Sequence, residues 1–112
     1  MTPETLDDIA VRVAQHIARA GDDATVVLAR AHADIVAAFV HGYTRGRGFN
    51  VLTGDPAPDL QAVIVAATAR LTTNPEQVTA YTAADYSERP AVFEGWTIAE
   101  QGVLHRHRQR WA

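Results

Sequence analysis

Residues 60–73 place the tightest limit on what this chain can fold into. Leu60, Val63, Ile64, Ala67 and Leu71 recur at helical spacing, and Ala62, Val65, Ala66 and Ala69 fill much of the remaining surface. A helix that is apolar nearly all round has to be enclosed by other elements. This segment is therefore expected to be the central helix of the fold. Asp59 reads as its cap and Asn74-Pro75 as its end, because a residue before proline is turned away from helical backbone.

The cover for that helix is legible on both sides of it. Thr2-Pro3 has the form of an N-cap followed by proline at the first helical position. Leu6, Ile9, Ala10, Val13, Ile17 and Ala20 then mark a first helix over 3–20, with Gly21 as its stop. Asp22-Asp23 can cap a second helix over 24–42. Its main stripe is Val27, Leu28, Ala31, Ile35, Ala38 and Phe39, widened by Val36 and Val40, and its stop is Gly42. So wide a stripe predicts cover on two sides. Residues 43–58 carry several glycines and prolines and read as a loop.

The pattern changes after residue 75. Val78, Tyr81, Thr82, Tyr86, Val92 and Phe93 are strand formers, and Glu88-Arg89-Pro90 resembles a turn. A β-hairpin pairing 80–88 with 91–95 is expected, which alone in water would be marginal. Trp96 should pack into the core. Thr97 and Glu100 then have the spacing of a capping box that opens a fourth helix. The fold class expected is mostly α: a four-helix single domain over 1–112, with a β-hairpin between helices three and four. Residues 104–112 would form a projecting basic C-terminal segment.

Charge is unevenly distributed in a chain of net charge −3. Residues 1–42 hold three Arg against six acids, and 50–100 hold two Arg against seven, whereas 101–112 hold three Arg and no acid. A generic nucleic-acid binder would have a basic body instead. All ten basic residues are Arg, which fits either a GC-rich coding sequence or a use for guanidinium forks at interfaces. The absence of Cys excludes disulfide and thiolate chemistry. No basic-then-apolar leader opens the sequence. No apolar run is expected to approach the ~18 residues of a membrane span, so no membrane partner is expected.

Reactive constellations are weak. His105 and His107 are two apart, which on a helix places them on different faces, so they are poor joint ligands and no metal site is expected. His16, His32 and His41 are scattered. Asp85 with Glu88, or Asp34 with His41, could be imagined as catalytic pairs, but neither sits in a recognisable motif. No nucleophile, base and orienter can be assembled, so no catalytic residues, no cofactor and no enzymatic activity are expected. Arg45-Gly46-Arg47-Gly48-Phe49 has the look of an RNA-binding segment, yet it is one short loop rather than a low-complexity repeat. Two charges add little phosphate affinity at physiological salt. Trp111, beside Arg106, Arg108 and Arg110, has the composition of an interface anchor, or else frays as terminal residues do.

Three stretches taken in order carry a resemblance: Tyr43-Thr44-Arg45-Gly46-Arg47-Gly48-Phe49, Asp85-Tyr86-Ser87, and Gly95-Trp96-Thr97-Ile98-Ala99-Glu100 leading into Val103-Leu104-His105-Arg106-His107-Arg108. Together they resemble the head-to-tail adaptor (connector) proteins of long-tailed bacteriophages, particularly those of actinobacteria. The resemblance implies a structural virion protein at the head–tail junction, assembled in the cytoplasm of the bacterial host. Its partners would be the portal protein, a stopper or other neck protein, and itself as a homo-oligomeric ring, typically a dodecamer. Genomic double-stranded DNA would pass through the lumen during ejection without tight binding. Leu104, His105, Arg106, His107, Arg108, Arg110 and Trp111 would face the portal. Arg45, Arg47 and Phe49 would form a loop facing a neighbouring subunit or DNA, and Tyr86, Glu88, Arg89 and Phe93 an inter-subunit hairpin. The alternative from another class is a small DNA-binding regulator using helices two and three.

Overall fold

A computed structural model describes residues 1–73 and 96–108. Among these residues the chain is helical. Helix α1 spans Pro3–His16, α2 Asp23–Thr44, α3 Pro58–Thr73 and α4 Ile98–Arg108. No strand occurs among them, only an isolated bridge between Phe49 and Pro56. The hairpin expected over 80–95, with Tyr86, Glu88, Arg89 and Phe93, lies outside the described residues, as do Arg110 and Trp111.

Helices α1, α2 and α3 each pack on the other two, and α4 closes over α2 and α3. The central role expected of α3 is what the structure shows. Leu60, Val63, Ile64, Val65, Ala67, Thr68, Ala69 and Leu71 are all buried along it. Helix α1 contributes Leu6, Ile9, Ala10, Val13 and Ala14 to this core. Trp96 is buried in it too, as expected.

The cap at Thr2 forms as expected, with its hydroxyl accepting from Thr5 N at 3.2 Å. The capping box also forms in both directions. Thr97 N donates to Glu100 Oε1 at 3.0 Å, and Glu100 N donates to Thr97 Oγ1 at 3.1 Å. Glu100 is buried, and its two oxygens also take the Arg70 guanidinium at 2.7 and 2.8 Å. One carboxylate thus caps α4 and fastens it to α3.

Helix ends depart from expectation for a local reason. Helix α1 stops at His16 rather than 20, and α2 runs through Gly42 to Thr44. Both finish in the same hydrogen-bond pattern. After α1, Arg19 N donates to Ala14 O and Ala18 N to Gln15 O. After α2, Gly46 N donates to His41 O and Arg45 N to Gly42 O. This motif needs one left-handed residue. Ala18 (φ 60°) and Arg45 (φ 59°) fill that place, so a search for glycine stops misplaces both ends. Helix α3 likewise starts at Pro58, so Asp59 lies inside its first turn instead of capping it.

The larger correction concerns α2. Its buried residues are Ala29, Ala33, Val36, Ala37, Val40 and Thr44. Most of the stripe read from sequence as its main core face is the solvent face: Val27 is 69% exposed, Leu28 44% and Ile35 40%, Ala31 and Ala38 are exposed too, and of that stripe Phe39 alone is half-buried against the core. Contrary to expectation, α2 is by length and composition apolar enough to cross a membrane, because Arg30 and Asp34 interrupt its apolar positions without making it polar on average. Its alanine-rich inner face lies against α1 and α3, while its outer face is open.

Candidate functional site

The loop joining α2 to α3 is a short, ordered finger. Asn50 N donates to Asp55 O at 2.8 Å, Gly54 N to Asn50 O at 2.7 Å, and Ala57 N to Gly48 O at 2.7 Å. The Asn50 side chain accepts from Leu52 N at 2.7 Å and Thr53 N at 3.0 Å, an Asx-type turn. Asp55 fastens the finger to the start of α1, accepting from Thr2 N at 2.7 Å and from Thr5 Oγ1 at 2.9 Å. The Thr2 amide, and after it the hydroxyls of Thr5 and Thr2, hold the Asp55 carboxyl below the usual carboxylate range. At the tip Val51 and Leu52 are 96% and 91% exposed. Arg45 and Arg47 are exposed at the base, whereas Phe49 turns inward and meets the His41 ring edge-on at 4.8 Å between centroids.

The basic helix end is folded onto the body. Leu104 is fully buried and belongs to the core, not to a docking surface. His107 Nε2 lies 2.9 Å from Asp59 Oδ2, and Arg106 donates to the same oxygen at 3.1 Å. His105 Nε2 meets the Tyr43 hydroxyl at 2.6 Å, and the Arg108 guanidinium sits 4.9 Å from the centroid of the Tyr43 ring. Residues 104–108 therefore do not project, because Leu104 and the partners Asp59 and Tyr43 draw them in. Burial works against ionisation of Asp59, but the His107 and Arg106 hydrogen bonds outweigh it, so its pKa falls below the ordinary 3.8. Gly48 permits this closure: at φ +84°, a Cβ there would lie 2.6 Å from both His107 Nδ1 and Leu60 Cδ1.

Asp34 and His41 line one open groove of about 220 Å³ with Leu6, Ala37, Ala38 and Phe49. They make no hydrogen bond with one another among the described residues. His32 sits at the boundary between core and solvent: its Nδ1 meets Thr72 Oγ1 at 3.2 Å, and burial lowers its pKa. Among the described residues no three His, Asp or Glu side chains converge as a metal site would require. Sequence reasoning missed the finger tip, although two large aliphatics between Asn50 and Thr53 were visible in the loop. It also missed that Asp59 gathers Arg106 and His107, which no local spacing could reveal.

No family model, curated protein or solved structure matches the chain.

Proposed function

We propose that this protein is an assembly component without catalytic activity, and specifically the head-to-tail adaptor of a long-tailed bacteriophage. In this reading it forms a ring between the portal of the filled head and the stopper or tail, and extends the channel for DNA. The observation that carries the assembly part is α2. One face of this helix is core, while the other offers Val27, Leu28, Ala31, Ile35 and Ala38 to solvent. Contiguous exposed apolar surface of this kind marks interaction sites. The adaptor part rests on the sequence resemblance.

The reading keeps a β-hairpin over 80–95 as an inter-subunit element. It changes the portal-facing segment. Leu104 is removed from it, and Arg110 and Trp111 become its leading candidates, with the outward sides of His105 and Arg106 behind them. Truncation at 104 would remove a core residue, so the informative truncation begins at 109. The test is addition of the purified protein to DNA-filled heads from a phage lacking this gene. The full chain should bind the heads and restore tail joining. The chain truncated after Arg108 should fold with an unchanged melting temperature yet bind heads poorly. Failure of the full chain to bind such heads would overturn the adaptor reading.

The regulator reading loses support from α3. Among its sixteen residues only Pro58, Ala62 and Thr73 are exposed. A recognition helix needs a free face to enter a groove, and this helix is enclosed.

A further inference from the structure

Apart from the single exposed residues Val11 and Ile98, the large apolar side chains left uncovered among the described residues fall into two groups, which differ in shape. The finger tip is convex, with Val51 and Leu52 standing almost wholly in solvent on a turn already pinned by Asn50, Asp55 and the start of α1. The outer face of α2 is long and low. Ala31 and Ala38, a heptad apart, run between Val27, Leu28 and Ile35, and beside Ala38 the surface dips into the groove of about 220 Å³. Presenting two large aliphatic side chains on a rigid turn means that little further ordering is needed when they are buried.

Charge points the same way. Arg45 and Arg47 stand exposed at the base of the finger, and Asp34 and Asp23 flank the α2 face. None of the four has an ion-pair partner among the described residues.

We propose that the finger of one copy docks on the outer face of α2 of the next. Val51 and Leu52 would pack between Leu28, Ile35 and Ala38, and Arg45 and Arg47 would meet Asp34 and Asp23. One contact then covers both open apolar surfaces. It joins two different patches, so it is heterologous and repeats from copy to copy until a ring closes. This deepens the assembly reading and rests on it. Self-pairing of α2 would cover only one of the two surfaces and would stop at a dimer.

The sequence contains no Cys, so engineered thiols report cleanly. Under mild oxidation at high protein concentration, the doubly substituted Leu52→Cys/Ile35→Cys chain should give a ladder of covalent oligomers, while each single variant stays unlinked. Asp34→Arg in that background should reduce linking several-fold, and adding Arg45→Asp with Arg47→Asp should restore it. Dimers from Ile35→Cys alone would overturn the proposal in favour of self-paired helices. Dimers from Leu52→Cys alone, or no linkage in any variant, would also overturn it. None of these failures touches the adaptor reading, which stands or falls on binding to portal-bearing heads.

Discussion

Helices α2 and α3 are built from nearly the same residues, chiefly Ala, Val, Ile and Leu, yet they sit in different surroundings. Helix α3 is apolar nearly all round and is enclosed. Helix α2 is also apolar on opposite faces, but among the described residues only the face bearing Ala29, Ala33, Val36, Ala37 and Val40 is buried. Composition alone therefore does not separate a helix enclosed on every side from one with an open face. The number of covered faces does, and that depends on where α1 and α4 come to rest.

The sharpest way to break this comparison is to truncate one isoleucine on each helix. Ile64, fully buried in α3, should cost about 2–5 kcal/mol of stability on substitution by alanine, the usual range for a core cavity. Ile35→Ala, on the open face of α2 and 40% exposed, should cost no more than about 1 kcal/mol while weakening association. Chemical denaturation of both variants measures the contrast. Equal losses would mean that the outer face of α2 is structural after all.

Next comes the fastening of α4 to α3. Glu100→Ala removes a cap and one partner of a largely buried ion pair. Arg70 keeps some solvent contact, with its side chain 30% exposed, so the loss should fall below that of a fully buried pair, at about 2–3 kcal/mol. Thermal melts against Glu100→Gln, which can still accept at the cap, separate the two contributions.

Inside α3, Thr68 is wholly buried and its hydroxyl finds no partner among the described residues. Thr68→Val keeps the shape and removes the orphaned group, so it should stabilise the fold by about 1 kcal/mol. A destabilised variant would reveal a hydrogen bond to that hydroxyl.

The left-handed helix ends give a smaller effect. Ala18→Gly should stabilise by roughly 0.5–1 kcal/mol, because glycine relieves the positive φ. Arg45→Gly should do the same for folding, yet weaken association if the charge is used between copies. The smallest effect is that of Asp59. Its folded pKa is depressed, so the stability it contributes is present above its ordinary 3.8 and is lost as pH falls below that value toward the folded pKa. Acid titration should therefore loosen the α4 end in wild type more than in Asp59→Asn.

Much of the architecture was legible because it is local. The Thr2 cap, the Thr97–Glu100 box and the unbroken apolar surface of 60–73 each carry their meaning in adjacent residues. What was not legible is relational. Which side of α2 faces inward depends on α1 and α3, and both of its stripes have helical spacing. The basic helix end looked free because Asp59 and Tyr43 lie 47 or more residues away in sequence. In sequence the finger stands out through Arg45 and Arg47, whereas nothing in the spacing of Val51 and Leu52 distinguishes its tip from an ordinary loop.

Assembly is proposed to run through the open face of α2. Sedimentation velocity over rising concentration, for the wild-type chain and for Ile35→Asp, tests it most directly, with melting temperatures alongside. The wild type should grow in mass with concentration, and the variant should stay a monomer of unchanged melting temperature. The same mass for both at every concentration would contradict the account.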